Sequence, residues 1–282
     1  MKVVHRVLNP AESPETALRV CALAVMTKAP RAGRVKTRLV PPLTPDEAAA
    51  LNVCFLRDTA SVISTAIVSG KESGKEARGV AVYTPIGRED TYADILPAEF
   101  YLVPQRGESF GERLSCATED LFQCGFNAVC LIDSDSPTVP AATFVHAMEI
   151  LRSSREHIVL GPSDDGGYYL IGLKRPHCEM FERIDWSTER VLEQTKARAK
   201  EIGLEIKSLP PCYDVDDPTT LRHLCNELLG GNSPDAAAPE TTKFLREMVD
   251  REGRSRIWPN VAALQGTESR KSLAAPSVAT EK

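Results

Sequence analysis

Two adjacent carboxylates, Asp164 and Asp165, lie in a turn between two short apolar runs. The runs, His157–Leu160 and Tyr168–Leu173, each predict a buried strand. Two glycines follow the acids, give the turn conformational freedom and leave room for a ligand near the backbone. Paired acids at a strand end suit a catalytic or metal site. Asp-Gly is also the commonest signal of a hairpin with a solvated turn, so the turn considered alone favours a plain hairpin. The other charged clusters of the chain favour a functional site at this turn.

A dense run of cations follows the first strongly apolar segment of the chain. Five Lys and Arg residues occur between Lys28 and Arg38. If this segment is extended, Arg34, Lys36 and Arg38 share one side, because side chains alternate along an extended chain. Converging cations at the carboxyl end of a strand suit a diphosphate, so we expect these residues and Lys28 to bind nucleotide. The segment matches neither a Walker A motif nor Gly-x-Gly-x-x-Gly, and a solvated basic loop is the alternative.

Acidic residues occur after two further predicted turns. Asp133 and Asp135 follow the apolar run that ends at Ile132, and Asp214 and Asp216 follow Tyr213. Hard divalent cations prefer oxygen ligands, and Mg²⁺ typically bridges one or two carboxylates to substrate phosphates. We therefore expect a metal site at Asp133, Asp135 and Asp216. An Asx-turn at the first pair and solvated turn acids at the second are the alternatives.

The segment from Gln105 to Arg113 contains Gly107 and Gly111 near the start of a predicted helix. Glycines at a helix start could admit a base or a ribose, which makes Gln105 and Gly107 candidate nucleotide-binding residues. A loop followed by a helix N-cap has the same local pattern.

The elements that must position these clusters alternate between strands and helices. Helical patterns begin at the capping box Thr44–Glu47 and near Phe110, Ala141, Thr188 and Pro218, the last with Asp217 as its N-cap. Such alternation predicts an α/β fold with a mostly parallel central sheet and helices on both faces. Ligands bind such sheets at the carboxyl ends of the strands, where the acidic and basic clusters occur.

Composition excludes several classes of protein. The net charge of −5 disfavours a general nucleic-acid binder, and we find no apolar run of ~20 residues that predicts a membrane span. Eight scattered cysteines without a Cys-x-x-Cys pair indicate a reduced, cytoplasmic compartment and no zinc site. We expect an N-terminal extension (1–19), one domain (20–229) and a C-terminal extension (230–282). Its last part, Gly266–Lys282, is predicted to be disordered because it is rich in Ser, Ala, Thr and Lys.

Taken together, these segments resemble the bacterial DUF2064 proteins. The similarity runs from about Val20 to Leu229 and rests on six motifs. They are Met26–Pro30, Lys36–Leu39 with Pro42–Thr44, Asp133–Pro137, Leu160–Leu173, Ile184–Thr188 and Asp214–Asp216. The resemblance implies a GT-A fold and a nucleotide-diphospho-sugar transferase, some members being described as arsenosugar-biosynthesis glycosyltransferases. Asp133 replaces a Gly that the family usually has, so Asp135 is the stronger candidate metal ligand.

The resemblance implies transfer of a sugar from a nucleotide-sugar to a small acceptor, with Mg²⁺ or Mn²⁺ as cofactor. Asp165 would act as the general base, and Asp164 would hold the acceptor or raise the pKa of Asp165. One alternative is a nucleotidyltransferase similar to the 2-phospholactate guanylyltransferases, which would use an NTP and release pyrophosphate. Another is a silent nucleotide-binding module, although such a module has no need of three acidic clusters.

Overall fold

The computed structural model describes residues 3–12, 20–72, 74, 76–230 and 237–257. The segment Gly266–Lys282, predicted to be disordered, lies outside the described residues. Eight strands form one sheet in the order β1-β4-β3-β2-β5-β7-β6-β8. The strands are β1 (Arg6–Val7), β2 (Cys21–Lys28), β3 (Ala77–Thr84), β4 (Tyr101–Pro104), β5 (Ala128–Ile132), β6 (His157–Pro162), β7 (Tyr168–Leu173) and β8 (Glu205–Ser208).

All strand pairs are parallel except the two that β7 makes with β5 and β6. The predicted mostly parallel α/β sheet is therefore confirmed. The predicted hairpin of β6 and β7 is also confirmed, with a register irregularity at Gly161 and Pro162. Because β7 runs against its neighbours, the β6–β7 turn lies at the same edge of the sheet as the carboxyl ends of β2 and β5.

Helices cover both faces of the sheet. They are α1 (Pro45–Glu72), α2 (Phe110–Gln123), α3 (Ala141–Arg152), α4 (Val191–Glu201), α5 (Pro218–Leu229), α6 (Pro239–Glu252) and α7 (Arg254–Ile257). Alternate residues of β2 point to opposite cores: Leu23 packs with the core beneath α1 and α3, and Ala24 with the core beneath α2. Burial on both faces explains why the central strands are almost continuously apolar.

The predicted helix caps are present. Thr44 Oγ1 accepts a hydrogen bond from Glu47 N at 3.2 Å, and Glu47 Oε2 accepts one from Thr44 N at 2.7 Å. Asp217 Oδ1 accepts from Thr219 N and Thr220 N at 2.8 Å each, which fixes the start of α5 immediately after Asp216. Each cap satisfies amide groups that a helix start leaves unpaired, and the second holds an acidic segment against the sheet edge.

The helix α1 has the length and apolar composition of a membrane span, with a mean hydropathy of 1.3 over its most apolar window. This helix is not an unbroken apolar run, because it contains Arg57 and Asp58, and 56% of that window is buried inside the protein. One such helix is weak evidence for a membrane span, because the core helix of a soluble protein passes the same test.

The C-terminal helices pack against α1 and α5 in a third core that includes Leu245, Met248 and Ile257. The buried carboxylate of Asp58, on α1, accepts hydrogen bonds from Glu240 N and Thr241 N at 2.9 Å each. Asp58 thus caps α6 from a distant part of the sequence. The predicted domain boundary at residue 229 stays a prediction, but residues 237–257 share this core with α1.

Candidate active site

Three acidic turns are joined by backbone hydrogen bonds at the carboxyl edge of the sheet. Val215 N donates to Asp135 O at 2.9 Å, which ties the segment before α5 to the turn after β5. Asp164 N donates to Cys212 O at 3.0 Å, which ties the β6–β7 turn to the same segment. Acids that are distant in the sequence therefore share one cleft.

Lys36 joins the basic segment to two of these acidic turns. Its ammonium lies 2.8 Å from Asp135 Oδ1, 3.0 Å from Asp216 Oδ1 and 2.7 Å from Val215 O, and its side chain is only 4% exposed. Burial lowers the pKa of Lys36, but the carboxylates of Asp135 and Asp216 outweigh that effect, so its pKa is raised above 10.5. Lys36 is therefore a charged cross-link at the centre of the site.

The basic segment is not extended, so the alternation of side chains along an extended chain does not apply to it. A turn at Gly33, left-handed backbone at Lys36 (φ 48°) and a short 3₁₀ helix at Thr37–Leu39 replace the strand-like geometry. Arg34, Lys36 and Arg38 nevertheless line one hollow, because the chain folds back on itself. Arg38 is 76% exposed and lies 3.7 Å from Asp216 Oδ2.

Crowded carboxylates give the acidic side of the site unusual protonation. Burial, together with the charge of Asp135, raises the pKa of Asp133 to about 8. Burial also raises the pKa of Asp214, with added repulsion from Asp165 and Asp216. Hydrogen bonds from Ser136 Oγ to Asp133 (2.7 Å) and from Ser163 Oγ to Asp214 (3.1 Å) partly offset these effects. Both shifts favour the protonated, neutral form of the carboxyl group, which limits the negative charge of the site.

The acids line a cleft of about 620 Å³ that extends over β2, β5 and β7. Asp133, Asp135, Asp165, Asp214 and Asp216 are all among its lining residues. Lys28, Arg38 and Gln105 line the same cleft. Most of the residues predicted for metal and nucleotide binding are therefore brought together.

The two acids of the β6–β7 turn differ in position. Asp165 lines the cleft and accepts a hydrogen bond from Gly167 N at 2.8 Å. Asp164 is exposed and is not one of the described residues that line the cleft. Gly166 has a φ of 88°, and a Cβ there would lie 2.3 Å from Glu189 O. Because Gly166 has no side chain, the backbone of Glu189 can pack against it. Gly167, in contrast, lines the cleft.

A second hollow of about 320 Å³ adjoins the cleft through Lys28, Thr84 and Arg113. Its charged lining residues are all basic: Lys28, Arg31, Arg34, Arg88 and Arg113. Within the described part of the chain, none of these five cations forms a salt bridge. A cluster of unpaired cations at one place favours an anionic ligand.

The remaining nucleotide-binding candidates shape the loop after β4. Gln105 Nε2 donates to Thr27 O at 3.1 Å and to Val82 O at 2.7 Å, which fixes its amide at the cleft wall. Gly107 has a φ of 104° and is not among the described residues that line the cleft. Gly107 O accepts a hydrogen bond from Arg113 Nε at 3.2 Å, so Gly107 helps to position Arg113, which lines the cleft.

Sequence reasoning missed Arg31, Arg88 and Arg113 as site residues. It gave Phe110 no role and interpreted Trp186 as a packing residue that could line a pocket. The signal for Arg113 was available, because Ser109 and Glu112 form a capping box that places Arg113 on the first turn of α2. Arg88 lies in a loop with no distinctive pattern.

Among the described residues, no group of three His, Cys, Asp or Glu side chains is close enough to form a ready metal site.

Comparison with known proteins agrees with the fold. Residues 72–188 match the DUF2064 family, "uncharacterized protein conserved in bacteria", which confirms the resemblance. The chain is similar to the "putative nucleotide-diphospho-sugar transferase from Desulfovibrio desulfuricans G20", with 28% identity and a TM-score of 0.69 over 84% of this chain and 98% of that chain. The GT-A-like fold class is confirmed. No curated protein matches the chain in sequence.

Two further solved structures are more distantly similar. A cytidylyltransferase from Leptospira borgpetersenii has 10% identity and a TM-score of 0.46 over 85% of this chain and 96% of that chain. The mannosyltransferase PcManGT from Pyrobaculum calidifontis, in complex with GDP-Man and Mn²⁺, has 14% identity and a TM-score of 0.40 over 95% of this chain and 83% of that chain. Neither similarity is close enough to indicate the chemistry of this chain.

Proposed function

We propose that this DUF2064-like protein transfers a sugar from a nucleotide diphosphate sugar to a small acceptor, with a divalent cation. The observation that carries the proposal is a cleft lined by carboxylates that adjoins a hollow lined by unpaired cations. The similarity to the Desulfovibrio protein supports a nucleotide-sugar as the donor. Residues 20–229 would contain the whole site.

The cations would stabilise the leaving nucleotide diphosphate. Lys28 and Arg38 line the cleft and Arg34 lines the adjoining hollow, so all three offer charged donors there. Charge-assisted hydrogen bonds to phosphate are strong and directional. Lys36 has a different role from the one its position in the sequence predicts. Its ammonium already contacts three oxygens, so we assign it to holding Asp135 and Asp216 in place.

The acidic residues fit Mg²⁺ or Mn²⁺ by their donor chemistry, since these ions prefer oxygen ligands. Burial is the main cause of the raised pKa values of Asp133 and Asp214, and a bound cation would favour the ionised form of both. Asp135, Asp216 and Asp133 would hold the ion after a rearrangement of their side chains, since no three acidic side chains of the described residues already form a metal site. When bound, it would neutralise charge on the donor's diphosphate.

Asp165 would accept the proton of the acceptor hydroxyl. The acceptor oxygen would then bond to the anomeric carbon as the bond from that carbon to the diphosphate oxygen breaks, which inverts the anomeric configuration. Asp165 suits this role because it borders the cleft and Gly167 N fixes its carboxylate. Asp164, exposed outside the cleft lining, would then affect catalysis only weakly.

Calorimetric titration tests the proposal. Wild type is titrated with nucleotide diphosphates and nucleotide-sugars, with Mn²⁺ and with EDTA. The expected result is Mn²⁺-dependent binding that is lost in Asp135→Asn, which keeps the side-chain shape but removes the charge. Equal affinity with Mn²⁺ and EDTA would contradict the metal assignment.

Nucleotidyl transfer is the second candidate, and the basic hollow favours it. Five unpaired cations beside the cleft could hold the terminal phosphates of an NTP as well as a diphosphate. The phosphorus product separates the two reactions, because sugar transfer releases a nucleoside diphosphate and nucleotidyl transfer releases pyrophosphate.

A further inference from the structure

Three aromatic rings border the cleft beside the turn that carries Asp165. The rings of Phe110 and Trp186 have centroids 5.1 Å apart at 78°, and those of Tyr168 and Trp186 have centroids 6.5 Å apart at 72°. All three residues line the cleft. Phe110 is 54% exposed, although a large apolar side chain gains free energy by leaving water.

The aromatic rings are held in position by the surrounding backbone. The edge of the Trp186 indole packs so close to α2 that a Cβ on Gly111 would lie 2.5 Å from Trp186 Nε1. Trp186 N also donates to Ile184 O at 3.0 Å. The rings therefore form a wall that is already in place before a ligand binds, which reduces the entropic cost of binding.

The aromatic wall is adjacent to the proposed base. Tyr168 follows the Asp165 turn directly as the first residue of β7. Leu192 N donates to Gly166 O at 2.8 Å, and Glu189 contacts Gly166, so the segment after Trp186 lies against the same turn. Four of the five unpaired cations, in contrast, lie beyond the ends of β2 and β3, around Lys28 and Pro85, and the fifth, Arg113, is on α2.

We propose that Phe110, Tyr168 and Trp186 form the acceptor subsite, and that the acceptor carries a ring with an apolar face. The inference rests on the proposed function, in which the acceptor hydroxyl must reach Asp165. A molecule whose hydroxyl is at Asp165 has the aromatic wall beside it. Sugar rings and aromatic rings both stack on such a wall, because both present flat C–H or π faces to the aromatic rings.

Ligand-observed NMR titration with phenyl β-D-glucopyranoside tests this subsite, because the probe carries both kinds of ring. Wild type, Phe110→Ala and Phe110→Tyr are titrated in the presence of Mn²⁺ and a saturating nucleoside diphosphate. Phe110→Ala should weaken probe binding roughly five- to tenfold, and Phe110→Tyr should restore it, since the stacking ring is kept. Val68→Ala, which alters an exposed apolar residue on α1, is the control and should leave probe binding unchanged.

Nucleoside diphosphate affinity is measured in the same variants. It should stay within about twofold of wild type, because the substitution removes none of the cations proposed to bind phosphate, including Arg113 on the same helix. A loss of nucleotide affinity in Phe110→Ala would show that the wall holds the nucleobase, and would overturn the proposal. Probe binding that is absent in wild type, or equal in wild type and Phe110→Ala, would also overturn it. Failure of the transferase assignment has a separate readout, namely the phosphorus product.

Discussion

Lys36 places its buried ammonium 2.8 Å from Oδ1 of Asp135 and so connects the basic segment to the acidic turn after β5. The same ammonium contacts Asp216, which brings a third segment into the contact. A buried cation between two carboxylates stabilises an arrangement that the acids alone would oppose by repulsion. The site therefore depends on Lys36 for its shape and on other cations for phosphate binding.

Replacing Lys36 should affect stability more than replacing Arg38. Lys36→Met removes a buried charge and three contacts, so we expect the free energy of unfolding to fall by about 1.5–3 kcal/mol. Arg38→Ala removes an exposed cation and should leave stability unchanged while weakening nucleotide binding by about 1.5–3 kcal/mol. Urea unfolding and calorimetry measure the two quantities. Equal stability of Lys36→Met and wild type would contradict the role of Lys36 as a cross-link.

The protonation of Asp133 predicts how stability changes with pH in the absence of metal. Its pKa is raised from 3.8 to about 8, so the folded protein keeps a proton that the unfolded chain releases between these values. Stability from this group is present at low pH and is lost as pH rises through 8. In EDTA, the Tm of wild type should therefore fall relative to that of Asp133→Asn between pH 5 and pH 8. Parallel Tm curves for the two proteins would show that Asp133 ionises normally.

The two acids of the β6–β7 turn provide a matched pair of variants. Asp165→Asn should reduce turnover by about 10²–10⁴-fold, the usual contribution of a general base, with nucleotide affinity near that of wild type. Asp164→Asn makes the same chemical change one residue away, outside the cleft lining, and should leave turnover close to normal. Steady-state kinetics at saturating donor measures both. Comparable losses in the two variants, or a product that retains its anomeric configuration, would argue against Asp165 as the base.

Asp58 is expected to secure the C-terminal helices. Asp58→Ala leaves the amides of Glu240 and Thr241 without their capping carboxylate, which should cost about 0.5–2 kcal/mol of stability. Asp46→Ala changes an exposed acid on the same helix and serves as the control. Thermal unfolding compares the two variants. If Asp58→Ala and Asp46→Ala have the same Tm, the capping of α6 by Asp58 contributes little to the stability of the fold.

Local sequence patterns predicted much of the fold. The strands and helices follow from apolar runs and caps, since the Thr44 and Asp217 caps depend only on neighbouring residues. The β1–β4 pairing was not predictable, because β1 has only two residues and both are exposed. The convergence of the acids was expected from the strand ends, but the cross-link through Lys36 was not. That contact depends on left-handed backbone at Lys36, a conformation that a lysine rarely adopts.

The identity of the phosphorus product tests the central proposal most directly. Wild type and Asp165→Asn are incubated with a nucleotide-sugar, Mn²⁺ and phenyl β-D-glucopyranoside, and in parallel with an NTP, and both are followed by ³¹P NMR. We predict that wild type releases a nucleoside diphosphate from the nucleotide-sugar, that Asp165→Asn does so about 10²–10⁴-fold more slowly, and that no pyrophosphate forms from the NTP. Pyrophosphate from the NTP, with the nucleotide-sugar left intact, would contradict sugar transfer and establish nucleotidyl transfer in its place.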